Sequence, residues 1–318
     1  MEYRLLGKTG LNVSKLCFGT LTMGSLQADL PPEEGAALLH EAYNRGINFW
    51  DTAELYGNYK TLRLAIRKIK ELPVITTKTY AYTRKDASAS LEKARFEMDI
   101  DVIPIFLLHE QESSLTLQGH KEALDFFCEA KSRGMISALG ISCHTVSAVR
   151  AALNFPEIDV IHPIVNFKGI GIKDGTLEEM LEAIGNAYRS GLGIYGMKAL
   201  GGGHLIPDAE KAIRFVRSLE NLHSFALGIS SYEELETDLH YFYGEKPADS
   251  LLKKVAARKR QLKIEDQCTG CGSCVQNCPQ EALFLEGSPE KRAVVDHLRC
   301  ILCGYCGAYC PEFCLKIF

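Results

Sequence analysis

The chain has no run of about 18 consecutive apolar residues, the length a membrane-crossing helix needs. Its opening, MEYRLLGKTG, lacks the apolar core of a signal peptide, so a cytoplasmic location and no membrane partner are expected. A large excess of one charge is also missing. The formal net charge is −4 over 318 residues, which gives no ground for a nucleic-acid partner. Tryptophan occurs once, at Trp50. A dinucleotide fingerprint in its proper setting is absent too. GLGIYG at 191–196 matches G-x-G-x-x-G by letter, but that motif stands after a strand and opens a helix. Here a helical stretch precedes and a strand-like run follows, which reads as a helix-to-strand turn.

Cysteine is what the chain does have. Twelve is a high number for the cytosol, where thiols stay reduced, and the clustering of most of them in the tail suggests metal, not disulfides. CTGCGSCVQNCPQ (268–280) recurs 32 residues later as CILCGYCGAYCPE (300–312), an internal duplication. Each run is C-x2-C-x2-C-x3-C-P, the two-cluster iron–sulfur pattern in which the fourth cysteine serves the other cluster. The expected ligand sets for two [4Fe–4S] clusters are Cys268, Cys271, Cys274 and Cys310, and Cys300, Cys303, Cys306 and Cys278. Structural zinc is the competing reading, but it usually employs paired C-x2-C knuckles, not triplets with a distal Cys-Pro. A tail of this size builds little apolar core, so the clusters are expected to serve as its core. Cys314 is left over and reads as a small buried residue.

Upstream, residues 1–245 alternate strand-like runs with amphipathic helical ones. The strands are expected at 15–19, 47–51, 73–78, 103–109, 136–142, 160–165, 193–197 and 225–229. Eight strands each followed by a helix predict an α/β fold, a (β/α)8 barrel, with a small hairpin before it. Residues 246–266 read as a helical connector with six basic residues and no acid in SLLKKVAARKRQLK. That run is either a dock for an acidic electron carrier or a packed helix with solvated charges. Residues 267–318 form a small α+β domain of bacterial-ferredoxin type.

WDTAELYG (50–57), ITTK ending at Lys78, LLH ending at His109, the opening YRLLGKTGLNVSKLCFGT and GMISALGIS together resemble the aldo-keto reductases over about residues 1–243. With the tail, the chain resembles the ferredoxin-fused branch of that family. The resemblance implies a catalytic set of Asp51, Tyr56, Lys78 and His109, at the C-terminal ends of strands two to four and the loop after strand two, where barrel active sites lie. The chemistry is consistent. A phenol with pKa ~10 keeps its proton at pH 7, Lys78 beside it is expected to lower that value, Asp51 holds Lys78 charged, and His109 orients a carbonyl or shares the proton. The substrate implied is a small-molecule carbonyl or alcohol.

The resemblance further implies NADP or NAD, held by Ser142, Cys143, His162, Asn166, Met197, Lys198, Gly228 and Ser230, with LGGGH (200–204) where barrels bind phosphate. Several of these depart from the family pattern. Cys143 replaces the usual Asn, His162 the usual Gln, Met197 the stacking aromatic, and Ser231 a 2′-phosphate arginine. Trp50, next to Asp51, is expected to report nucleotide binding by fluorescence. Clusters pass single electrons and nicotinamides pass hydride, and a flavin normally joins the two. No flavin motif is present, although a barrel can bind FMN without one. Three readings stand: a nicotinamide-dependent carbonyl reductase whose clusters serve structure, sensing or electron transfer with an external carrier, an enzyme whose clusters feed or drain electrons directly at the barrel pocket, and a redox-sensing binding protein.

Overall fold

The computed structural model describes all 318 residues. The chain opens with an antiparallel hairpin, β1 (Tyr3–Leu5) and β2 (Asn12–Ser14). Eight strands follow: β3 (Leu16–Gly19), β4 (Phe49–Asp51), β5 (Val74–Thr79), β6 (Ile103–Leu108), β7 (Ile136–Cys143), β8 (Val160–Pro163), β9 (Gly193–Gly196) and β10 (Ser224–Gly228). They pair in parallel and in order, and β10 closes on β3 with Phe225 opposite Leu16 and Gly228 opposite Gly19. The eight expected runs correspond to these strands to within one or two residues at each end. GLGIYG spans the turn between a helix ending at Arg189 and β9.

Strand alternation sorts the side chains into two layers. In β6, Ile105 and Leu107 belong to the barrel interior while Phe106 and Leu108 join the much larger core beneath the helices. Leu6 and Val13, from the hairpin, are fully buried in the interior cluster and plug its N-terminal end. The outer layer is built by helices such as α1 (Pro32–Asn44), α2 (Tyr59–Ile66) and α3 (Arg84–Met98), each packed against its neighbour. No helix is long and apolar enough to cross a membrane.

Segment 246–266, expected as a helical connector, is helical only over Asp249–Ala256. Its end, β11 (Leu262–Ile264), is a strand that pairs antiparallel with β14 (Leu315–Ile317) and so belongs to the tail. The reason is local: Leu262 and Ile264 turn inward while Lys263 points out and donates to Leu26 O at 3.0 Å. Arg260 and Arg258 reach Glu234 at 3.1 and 3.8 Å, so half of the basic run ties the connector and tail to the barrel. The tail also holds a second hairpin, β12 (Leu283–Glu286) with β13 (Arg292–Val295). Its duplication persists in the backbone. Gly272 and Gly304 each cap a short helix from the left-handed region, at φ 80° in both.

The tail rests on the C-terminal mouth of the barrel, over the loops that follow β7, β8 and β9. Phe313 is 2% exposed and belongs to the main barrel core. Nε2 of His204 lies 2.8 Å from Leu315 O, and Lys173 lies 3.9 Å from Glu312.

Candidate active site and cluster cavities

Alternation sets which residues can meet at the mouth. Phe49 faces the interior, so Trp50 faces the helices and Asp51 faces in again. Trp50 Nε1 donates to Ile47 O at 3.2 Å with its ring against Tyr43, which turns the expected fluorescence reporter away from the mouth. Lys78 likewise points inward. Its ammonium donates to Asp51 Oδ1 at 2.7 Å and Thr52 O at 2.9 Å, and both partners of the ion pair are buried. Asp51 Oδ2 accepts from Tyr195 OH at 2.8 Å. Burial would raise the Asp51 pKa, but the charges of Lys78 and His162 and the hydrogen bonds from Lys78 and Tyr195 hold it below the ordinary carboxyl range.

Tyr56 ends a short helical turn, Glu54–Tyr56, closed by Gly57 at φ 64°. Glu54 anchors that turn through Thr79 Oγ1 (3.0 Å), Ser90 Oγ (2.7 Å) and Lys93 Nζ (3.2 Å). The Tyr56 ring lies 5.2 Å from Lys78 Nζ and 6.1 Å, edge on, from the His109 ring. The expected lowering of the Tyr56 pKa does not occur. Burial pushes it well above the ordinary phenol range, and the charges of Asp51 and Glu110 push the same way. His109 stacks on Tyr80 at 4.4 Å and has its Nδ1 buried without a partner. Burial, then the Lys78 charge, lowers its pKa to about 3, so the imidazole is neutral.

Sequence reasoning missed Tyr195, Glu54, Tyr80 and Glu110. Tyr195 had a usable signal. It lies two residues before Met197 on a strand whose alternation points it into the barrel, and a buried phenol needs a hydrogen-bond partner. Glu110 accepts from Tyr80 OH at 2.6 Å and lies 3.6 Å from His144 Nδ1. Nothing in its local sequence marks that role.

Most of the residues expected around a nicotinamide are engaged within the barrel or against the tail. His162 stacks on Tyr195 at 3.8 Å, with Nδ1 on Tyr195 O at 2.7 Å and Nε2 3.7 Å from Asp51. Cys143 is fully buried in the layer beneath the helices. Ser142 Oγ accepts from Glu110 N at 2.9 Å. The Asn166 side chain is taken up by both backbone groups of Ile170, at 2.9 and 3.0 Å. Ser230 donates twice to Glu234, at 2.9 Å from N and 2.8 Å from Oγ. Met197 is 9% exposed, and a side chain at Gly228 would run into Thr22. Lys198 lies 4.8 Å from the Phe313 ring, and burial together with the Lys316 charge brings its pKa to about 7. In the 200–204 loop, the amides of Gly201, Gly203 and His204 bond to carbonyls of Lys198, Leu200 and Gly201, so they are not free for a phosphate.

The tail cysteines gather into two cavities. Cys268, Cys271, Cys274 and Cys310 line one of about 290 Å³. Cys278, Cys300, Cys303 and Cys306 line the other, of about 350 Å³. Backbone amides point at sulfur in both: Ala293 N to Cys268 at 3.4 Å, Cys314 N to Cys310 at 3.4 Å and Ala282 N to Cys278 at 3.3 Å. Such donors suit thiolates, and a four-thiolate wall around each cavity fits a [4Fe–4S] cluster. Cys314, also buried, is a fifth cysteine lining the first cavity, with its Sγ 3.4 Å from that of Cys310. The contact between the two sulfurs holds the Cys310 thiol below the ordinary range and, with burial, Cys314 above it.

The model of the aldo/keto reductase family matches residues 15–259, and that of a 4Fe-4S dicluster domain matches residues 261–311. L-galactose dehydrogenase of Arabidopsis thaliana is 26% identical over 197 residues, 57% of this chain and 60% of that protein. A probable voltage-gated potassium channel subunit beta of the same plant is 25% identical over 181 residues, 52% of this chain and 54% of that protein. The chain thus spans little more than half the length of these relatives. A putative aldo-keto reductase from Pseudomonas aeruginosa superposes with a TM-score of 0.66 at 25% identity, covering 76% of this chain and 94% of that one. The aldo-keto reductase AKR11C1 from Bacillus halodurans, at 17% identity, gives a TM-score of 0.63 over 80% of this chain and 96% of that one, a likeness of fold. The closed eight-stranded barrel and the two matches together establish that the chain belongs to the aldo/keto reductase family, with a 4Fe-4S dicluster domain behind its barrel.

Proposed function

We propose that the chain is a cytoplasmic oxidoreductase that interconverts a small-molecule carbonyl and its alcohol at the Tyr56 mouth, with two [4Fe–4S] clusters for electron transfer. The observation that carries this reading is the convergence of Tyr56 and neutral His109 over a buried Lys78–Asp51 pair. Residues 1–245 would form the catalytic body, and β11 with residues 267–318 the cluster-bearing unit.

Reduction of a carbonyl to an alcohol takes up two electrons and two protons. Tyr56 is the residue placed to give the proton that goes to oxygen, because its phenol is fully protonated at neutral pH, and the second proton, which goes to carbon, comes from solvent water. His109, uncharged, supplies a hydrogen bond that orients the carbonyl but is no acid at that pH. Lys78, held by Asp51 at 2.7 Å and 5.2 Å from the Tyr56 ring, is placed to steady negative charge as it develops on the phenolic oxygen. Tyr195 and Thr52 lock the pair so that this charge needs no rearrangement. Clusters bound at the two cysteine sets would supply electrons one at a time, from an external one-electron carrier. The family fold suggests a nicotinamide, but most of the residues expected around one are engaged within the barrel or against the tail, and no role here depends on it.

The test is anaerobic turnover of a panel of aldehydes and ketones by the cluster-loaded protein, with reduced methyl viologen as donor. Tyr56→Phe should lower the rate about 100-fold or more, the range of a lost general acid, while leaving the visible cluster absorbance intact. An unchanged rate would remove Tyr56 from the chemistry.

A further inference from the structure

The mouth over β7 to β9 is built around the tail. Phe313 sits in it as a knob, its ring flanked by Lys198 Nζ at 4.8 Å and Lys316 Nζ at 3.7 Å, with the rings of His144 and His204 at 6.3 and 6.4 Å. Lys316 also donates to Phe313 O and lies 3.4 Å from Glu265. The backbones meet without side chains between them. A methyl group at Gly203 would overlap the Ile317 carbonyl, and one at Gly202 would lie 2.9 Å from the Phe313 ring. From the other side, a methyl group at Gly307 would overlap the His204 ring. A tethered domain resting loosely on a surface needs none of this. The glycines lie on both partners, and contact this close forms a seat.

The same loops are those that a dinucleotide would need. Lys198, Gly202, Gly203 and His204 hold the tail through side chain or backbone, while Asn166, Ser142, His162 and Ser230 are bonded within the barrel. We propose that the chain's own segment Phe313–Phe318 is the fixed occupant of this part of the mouth, and that a nicotinamide dinucleotide and the docked tail exclude one another. The redox partner built into the barrel is then its own tail, and the class of external donor is a one-electron carrier rather than a hydride donor. This rests on the reading of the Tyr56 mouth as the reacting site, but that reading stands or falls separately, on the Tyr56→Phe rate with viologen.

The test is calorimetric titration of the cluster-loaded full chain with NADPH and with NADH under anaerobic conditions, joined to hydrogen exchange of the Phe313–Phe318 amides. The expected result is no saturable binding below about 1 mM, a free energy weaker than about −4 kcal/mol, with those amides protected. Binding accompanied by loss of their protection would also support exclusion, because the nucleotide would then be displacing the tail. Micromolar binding with protection retained would overturn it. Phe313→Ala gives a second arm. It should raise exchange of the Leu315–Ile317 amides at least several-fold while cluster absorbance persists, and unchanged exchange would refute the role of the knob. If that variant loses its clusters, the wild-type titration still decides.

Discussion

Replacing Asp51 with Asn tests the electrostatic support directly. Lys78 Nζ would keep Thr52 O at 2.9 Å but lose the carboxylate at 2.7 Å. The gross attraction at that distance is about 6 kcal/mol at an effective dielectric near 20. Removing one partner of a buried pair costs roughly 3–5 kcal/mol net, since the remaining charge is stranded. Tyr195 OH and His162 also lose their charged neighbour. For a barrel of this size, about 3 kcal/mol corresponds to a fall in melting temperature of roughly 6–12 °C. The assay is thermal unfolding followed by far-UV circular dichroism, with cluster loss followed separately at visible wavelengths so that the tail does not confuse the barrel transition. Lys78→Met added to Asp51→Asn should recover part of the loss, because no stranded charge then remains. A shift below about 2 °C in the single variant, or simple additivity in the double, would refute the reasoning.

The remaining predictions are shorter. His109 and His162 have pKa values of about 3 and about 4 in the fold, lowered chiefly by burial from an ordinary value near 6.5. The unfolded chain therefore binds more protons, so barrel stability should fall as pH drops below about 6.5. Each group contributes up to about 1.4 kcal/mol per pH unit until its folded pKa is reached. Acid unfolding of His162→Gln should be visibly less steep, and an equal slope would count against this account. Cys310→Ser should remove the same cluster spectrum as Cys271→Ser and about half the iron. Loss of the spectrum belonging to the Cys303 set instead would mean that the fourth ligands are not exchanged between the runs. Tyr195→Phe deletes one hydrogen bond to a buried carboxylate and should cost about 1.5–3 kcal/mol in the same melts, whereas no shift would mean that Asp51 does not depend on it.

Much of the barrel could be read from period-two alternation joined to helical spacing. The family resemblance, not the alternation, placed Asp51, Lys78 and His109 at three successive strand ends. Alternation could have shown that Trp50 faces away, since neighbours on a strand face opposite layers. What the sequence hid were matters of distance along the chain. Glu54 fixes the Tyr56 turn through Thr79, Ser90 and Lys93, which lie 25, 36 and 39 residues away. The contact of Lys78 with Asp51 spans 27 residues, and burial of Tyr56, which its local sequence does not reveal, reversed the expected effect on the phenol. Nothing near Phe313 in sequence reveals that its seat lies between Lys198 and His204. The glycines of LGGGH invited a phosphate reading for the same reason. Small residues admit any close backbone neighbour, and here that neighbour is β14.

The chemistry proposed at Tyr56 is carbonyl reduction with single-electron supply and without a nicotinamide. Its most direct test runs two donors against one carbonyl substrate, anaerobically, with the same cluster-loaded preparation. Reduced methyl viologen should drive consumption of the substrate, and NADPH or NADH alone should drive none above background. Turnover with either nucleotide at a rate equal to or above that with viologen would contradict the account.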